Sequence, residues 1–234
     1  MIIIPMAGLS SRFFKAGFTQ PKYMLMAHGK SLFEWSLKSF ENYFSIEKFV
    51  FICRDVYDTP AFLKSELEKI GIENFEIVIL ERETEGQAST VLLGLENIDD
   101  NDDLLIFNID TWRHNFVFDK RDSDGYLEVF AGEGEHWSFV LPGKNEKVLR
   151  TTEKERISNL CSNGIYYFKN KKIYLDAYHK LKKDNPKEMY IAPMYNYLID
   201  NGGKVHYTLI DYAAHTFMGT PVEYEQFLRE KFDV

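Results

Sequence analysis

The stretch MIIIPMAGLSSRFFKAGFTQPKYML (residues 1–25) decides how the rest of the chain is read. Met1 to Ile4 form an apolar run closed by Pro5, which suits a buried strand. Ala7, Gly8, Ser10 and Ser11 then make a turn of small residues whose backbone N–H groups can face an anion, and a helix-like start behind them adds a favourable dipole. Arg12 offers a planar, bidentate cation for phosphate oxygens, and Lys22, presented by Pro21, offers a compact point charge. A tight turn after a strand occurs in many α/β proteins, so this stretch alone leaves both packing and phosphate binding open.

Working outward, Ser31 to Tyr43 has the spacing of an amphipathic helix, and Phe49 to Cys53 reads as a second strand. Thr59 to Ile70, closed by Gly71, predicts a helix; Phe75 to Leu80 predicts a strand. Ala88 to Leu95 continues as a helix after Gly86, and Leu104 to Ile109 is the fourth strand. Such alternation implies a mainly parallel sheet covered on both faces, with a ligand crevice at the carboxyl ends of its strands. Pro5 to Arg12, the loop after Leu80, and Asn108 to Asp110 then share one rim. From Phe116 the pattern turns to short aromatic-rich strands, GYLEVFAG (125–132), HWSFVLPG (136–143) and NGIYYF (163–168). Helical patterns return at Lys172 to Lys183 and Ile191 to Asn201. The fold class predicted is α/β: a Rossmann-like, mainly parallel mixed sheet flanked by helices, with a small antiparallel addition over the active-site cleft.

Composition narrows the function. With 28 basic and 36 acidic residues the net charge is −8, which opposes binding to a nucleic-acid backbone. The 19 Phe and 14 Tyr are spread along all 234 residues, as in a folded single domain. Cys53 and Cys161 lie in apolar surroundings without a partner motif and read as buried, reduced thiols. MIIIPMA lacks a basic flank, and no apolar stretch reaches the roughly 20 residues a membrane helix needs, so a soluble cytoplasmic protein with no membrane partner is expected. The six histidines show no metal-ligand spacing.

Three later segments bear chemistry. ILERETEGQAST (79–90) follows a strand and carries Glu81 and Gly86. LLIFNIDT (104–111) ends an apolar strand in Asp110, a hard carboxylate that can hold Mg²⁺ against phosphate oxygens, although Asp also favours strand ends for turn reasons. TTEKERISNLCSNGIYYF (151–168) sets Glu153 and Lys154 ahead of Asn163 and Gly164. Taken singly, each could be a solvated turn or an ordinary hairpin strand.

The spacing from Gly8 to Arg12 to Pro21-Lys22, followed in order by these segments, resembles the nucleotidyltransferases known as nucleotide-sugar pyrophosphorylases. The resemblance covers nearly the whole chain. It implies nucleotide binding by Met6, Ala7, Gly8, Leu9, Ser10 and Ser11, with Glu81, Gly86, Gln87 and Ala88 at the base. Arg12 and Lys22 become catalytic. Asp110 becomes the Mg²⁺ ligand, and Glu153, Lys154, Asn163, Gly164 and Asn196 face the acceptor. Two departures stand out. Ser10 occupies the second glycine of the family pattern, and Phe217 stands where many members have a second metal-binding Asp, leaving Asp211 as the expected substitute.

Residues 1–112 would then form a nucleotide-binding half and residues 113–234 an acceptor-binding half. The implied reaction moves a nucleoside monophosphate from a triphosphate to a phosphorylated small molecule, releasing pyrophosphate. A carboxylate at Glu81 can accept from the exocyclic amine of cytosine, which favours CTP. The chain looks most like capsule-pathway cytidylyltransferases that act on phosphocholine or phosphoglutamine. A sugar-1-phosphate uridylyl- or thymidylyltransferase is the alternative, and a nucleotide-sugar-dependent glycosyltransferase a more distant one. Assembly as a homo-oligomer is compatible with either enzyme.

Overall fold

The structure, a computed structural model, describes residues 1–230. Strand β1 (Ile2–Pro5) leads into a short helix, α1 (Ser11–Lys15), and a two-stranded hairpin of β2 (Met26–Ala27) and β3 (Lys30–Ser31). Helix α2 (Leu32–Leu37), strand β4 (Phe49–Arg54), helix α3 (Thr59–Ile70), strand β5 (Phe75–Leu80), helix α4 (Gln87–Leu93) and strand β6 (Leu104–Phe107) complete the first half. The second half holds β7 (Thr111–Arg113), β8 (Gly125–Ala131), β9 (Ser138–Pro142), β10 (Val148–Glu153) and β11 (Leu160–Phe168). It ends with α5 (Lys171–Lys183), α6 (Met194–Asp200), β12 (Val205–Leu209), β13 (His215–Phe217) and α7 (Pro221–Arg229).

The main sheet has nine strands, with the path β10-β9-β11-β6-β1-β4-β5 and with β8 joined to β11 and β12. Strands β6, β1, β4 and β5 are mutually parallel, whereas β11 runs antiparallel to β6, β8 and β9. The aromatic-rich strands of the second half thus extend this sheet. The separate antiparallel pieces are the β7–β13 and β2–β3 pairs. After β1 the chain moves to β4 and β5 on one side, then returns to β6 on the other. The order reverses between β1 and β6, which is where such a sheet opens a ligand crevice.

The near-continuous apolar runs follow from burial on both faces. Ile3, Val50, Ile52 and Ile106 point into one core with α4, α5 and α6, while Ile2, Ile4, Phe49, Phe51 and Phe107 point into the other with α2 and α3. Both cysteines are buried and free. The helix predicted over Ser31 to Tyr43 splits: α2 gives way to a 3-10 segment whose Phe40 leaves helical geometry. Phe40 turns there to pack edge-on to Phe107 at 4.9 Å and Phe116 at 5.0 Å. Among the described residues no helix is long and apolar enough to cross a membrane.

Candidate active site

Residues 6–12, leaving β1 at the switch point, line a cavity of about 560 Å³ together with Lys22, Gln87, Asn108 and Asp110. Helix α1 is pinned by Phe13, buried against Phe18 and Tyr224, and Arg12 beside it is exposed on the cavity wall. Five residues make a weak dipole, so any anion here depends on loop N–H groups and side-chain cations more than on the helix. A Cβ on Gly8 would meet nothing within 4 Å, so the space beside it is open for a ligand. Ser10 takes a left-handed conformation (φ 50°), which a glycine would adopt without strain. Its hydroxyl accepts a hydrogen bond from the Lys22 backbone N–H at 3.1 Å, which ties the anion loop to the Lys22 turn. Ser10 therefore replaces glycine's freedom with a tether.

Lys22 Nζ lies 2.6 Å from Asp110 Oδ2, with the two side chains 23% and 27% exposed. Asp110 follows β6, and its backbone carbonyl accepts from Met218 N at 2.8 Å. Gly219 next to it is required by space, since a Cβ there would fall 2.8 Å from Asp110 Oδ2. Gly86 has a different constraint: at φ 140°, a Cβ would sit 2.6 Å from the Met189 carbonyl oxygen. The Met189 backbone is in turn bonded to Glu85 O and Ala88 N, each at 2.8 Å.

A second cavity of about 230 Å³ shares Arg12, Gln87, Asn108, Asp110 and Gly219 with the first. Its far wall holds Glu153, Lys154, Asn163 and Gly164. Burial pushes the Glu153 carboxyl upward, opposed by a hydrogen bond from Ser138 and by the Lys154 ammonium 3.9 Å away. Asn163 is buried, and its amide donates to Glu128 Oε2 at 2.8 Å and to His215 Nε2 at 2.9 Å. Burial lowers His215 to about 4, so the imidazole is neutral and its Nδ1–H donates to Tyr212 O. Gly164 sits at a register shift in β11 with φ 92°, where a Cβ would press within 2.8 Å of the Asn108 amide.

Four anticipated contacts lie elsewhere. Glu81 is exposed outside both cavities because the chain turns after the buried Leu80; Glu83 and Thr84 line the nucleotide-side cavity instead. Ala88 is fully buried in the first turn of α4. Asn196 is occupied by the backbone of Thr151, accepting from its N–H at 2.8 Å and donating to its carbonyl at 2.9 Å. Asp211 is exposed and caps a 3-10 turn through Ala213 N at 2.8 Å. It lines neither cavity, whereas Asp110 lines both. Asn108, placed on the rim by the sequence without a role, accepts through its side chain from Gln87, and the Glu188–Tyr190 strap was not anticipated. Asn108 was signalled by its place two residues before Asp110.

No group of three or more His, Cys, Asp or Glu among the described residues could hold a metal alone. Mg²⁺ commonly uses one or two carboxylates plus substrate phosphates, and Asp110, with the space that Gly219 leaves beside Oδ2, fits that demand.

The chain belongs to the nucleotidyl transferase family, whose sequence pattern matches residues 2–214. The nucleoside-diphosphate-sugar pyrophosphorylase from Vibrio cholerae RC9 is 50% identical, with a TM-score of 0.94 over 98% of this chain and 100% of that one. The bifunctional protein GlmU of Methanococcus maripaludis (strain C7 / ATCC BAA-1331) is 28% identical over 217 residues, 87% of this chain; the chain spans about half of that relative, 48%. The inositol-1-phosphate CTP transferase from T. maritima shares the fold at 18% identity, with a TM-score of 0.76 over 100% of this chain and 97% of that one.

Proposed function

We propose that the protein transfers a nucleoside monophosphate, CMP preferentially, from the triphosphate to a phosphorylated small molecule, releasing pyrophosphate in the cytoplasm. The activated product would serve capsule or surface-polysaccharide synthesis. The observation that carries this reading is the Lys22–Asp110 pair, with Lys22 in the nucleotide-side cavity and Asp110 lining both adjoining cavities. In-line displacement needs nucleophile and leaving group on opposite sides of one phosphorus, and two cavities that adjoin at Arg12 and Asp110, with Lys22 beside Asp110, suit that arrangement.

Residues 1–112 supply most of the triphosphate cavity, and residues 113–234 most of the acceptor wall. The loop N–H groups of residues 8–11 and Arg12 hold the β- and γ-phosphates. Lys22 faces the α-phosphorus and the attacking oxygen. That oxygen is already ionised, so no general base is required, and the protein contributes alignment and charge neutralisation. Glu153 accepts from polar groups of the acceptor, and Lys154 balances its phosphate. Asp110 would hold Mg²⁺, which supplies charge neutralisation across the phosphate oxygens when bound.

Glu83 takes over the base-reading role expected of Glu81. Arg54 contacts one of its oxygens at 3.4 Å, which leaves the other to accept from an exocyclic amine. Glu83→Gln is expected to move the CTP-to-UTP ratio of kcat/KM about tenfold toward UTP, the scale of one exchanged hydrogen bond. An unchanged ratio would take Glu83 away from the base edge.

A sugar-1-phosphate acceptor is the second reading, favoured by the 50% identical Vibrio cholerae protein, described as a nucleoside-diphosphate-sugar pyrophosphorylase. The test is pyrophosphate release from each of four triphosphates against phosphocholine, phosphorylated amino acids and sugar 1-phosphates, with Mg²⁺. Release with CTP and one amine-bearing acceptor supports the first reading, and release with UTP or dTTP and a sugar phosphate the second. No release from any pair, with turnover of a nucleotide sugar instead, would replace both with a glycosyltransferase.

A further inference from the structure

Residues 188–190 cross the boundary between the two cavities. Met189 is 1% exposed in the core, and its backbone is bonded on both sides to the loop that carries Gly86, at Glu85 O and Ala88 N. Its neighbours face outward in different directions of use. Glu188 lines the nucleotide-side cavity, and Tyr190 lines the acceptor-side cavity. The Tyr190 hydroxyl donates to the Glu188 carboxylate and accepts from the Lys154 ammonium. The same ammonium stands over the Tyr190 ring, 4.4 Å from its centroid. Lys154 itself starts from a left-handed backbone (φ 56°), held by its N–H on Trp137 O at 2.9 Å.

We propose that Tyr190 is a positioning residue: through the chain Glu188–Tyr190–Lys154, the loop facing the nucleotide sets where the acceptor-side ammonium stands. This rests on the reading of Lys154 as the cation for the acceptor phosphate. The chemistry favours the relay. A phenol donating to a carboxylate becomes a better acceptor toward an ammonium, and a flexible lysine gains one preferred position from a charge-assisted bond plus a ring face. The tight Gly86–Met189 contact makes the strap and the loop move together, because a backbone approach that admits no Cβ leaves no slack between them. A nucleotide that seats the loop thereby orders Lys154 before the acceptor arrives.

Tyr190→Phe tests this, since it removes only the hydroxyl and keeps the ring beneath the ammonium. The full-length protein, without ligands, is labelled with an acetyl N-hydroxysuccinimide ester, and acetylation of each lysine is followed by peptide mass spectrometry. Lys154 is expected to react several-fold faster in Tyr190→Phe and in Glu188→Gln, while exposed Lys144 stays unchanged. Adding CTP with Mg²⁺ is expected to slow Lys154 labelling in the parent protein and to leave it unchanged in Tyr190→Phe. In turnover, Tyr190→Phe is expected to raise the acceptor KM about tenfold, with kcat and the triphosphate KM within about twofold, as for loss of one charge-assisted bond that orients a binding group. Equal Lys154 labelling in parent and Tyr190→Phe would overturn the proposal, as would a triphosphate KM that rises with the acceptor KM. A parent protein that turns over no triphosphate–acceptor pair would end the functional reading, and the ligand-free labelling would still report on the relay.

Discussion

Lys22→Ala is expected to lower turnover at least about a hundredfold, the scale of losing one preorganised electrostatic contact at a reacting centre. The substitution isolates the ammonium. The Ser10 hydroxyl bonds the Lys22 backbone N–H, not its side chain, so the turn that presents residue 22 stays tethered. Both members of the Lys22–Asp110 pair are about one-quarter exposed, and such pairs contribute at most about 1 kcal/mol to stability. The melting temperature should therefore barely move while the rate collapses. Lys22→Arg is expected to recover little, because a planar fork cannot stand where a compact point charge bridges an α-phosphate and an attacking oxygen. Steady-state pyrophosphate release with saturating triphosphate and acceptor is the measurement. Turnover within about tenfold of the parent would remove Lys22 from the transfer step.

The first half of the fold was legible because its strands are buried on both faces, so Met1–Ile4, Phe49–Cys53 and Leu104–Ile109 read as apolar runs separated by amphipathic helices. The hairpin of β2 and β3 was not, since two-residue strands carry no periodicity. Strands β10 and β12 were missed for another reason: their exposure follows no two-residue alternation, and β12 pairs with β8, far back in the sequence. In the site, residues attached to the ends of β1 and β6 were readable because a strand end at a switch point faces the crevice whatever follows it. Asn196 rests on the family resemblance and Asp211 on standing in for the Asp that Phe217 replaces, and neither ground says where a side chain spends its hydrogen bonds. Asn196 spends them on Thr151, and Asp211 on its own turn. The offset from Glu81 to Glu83 has a local cause, because the loop leaves β5 with Leu80 turned inward and Glu81 outward. The buried contacts behind the acceptor wall, which join β7, β8, β11 and β13, leave no trace in any one segment.

Those contacts carry the second large expectation: Arg113→Met should destabilise the protein by about 3–5 kcal/mol at neutral pH, the cost of stranding a buried charge. Arg113 and Glu128 are 8% and 3% exposed at their side chains and meet through Nε–Oε2 at 2.8 Å and Nη2–Oε1 at 3.2 Å. Burial already pushes the Glu128 carboxyl above its ordinary value, opposed chiefly by Arg113 and then by the Asn163 amide. Without the guanidinium only Asn163 remains, and the carboxyl moves higher still. The folded variant then keeps a proton that the unfolded chain has lost, so its stability is greatest below the unfolded carboxyl value of about 4.3 and falls as pH rises through the folded one. Denaturant unfolding at pH 5 and pH 8 is expected to show the variant's deficit growing toward pH 8. The double variant Arg113→Met, Glu128→Leu should regain most of the loss, because no charge is left to strand. A deficit that is equal at both pH values, and unrepaired in the double variant, would mean that Arg113 acts by packing and that Glu128 is not held as a buried charge.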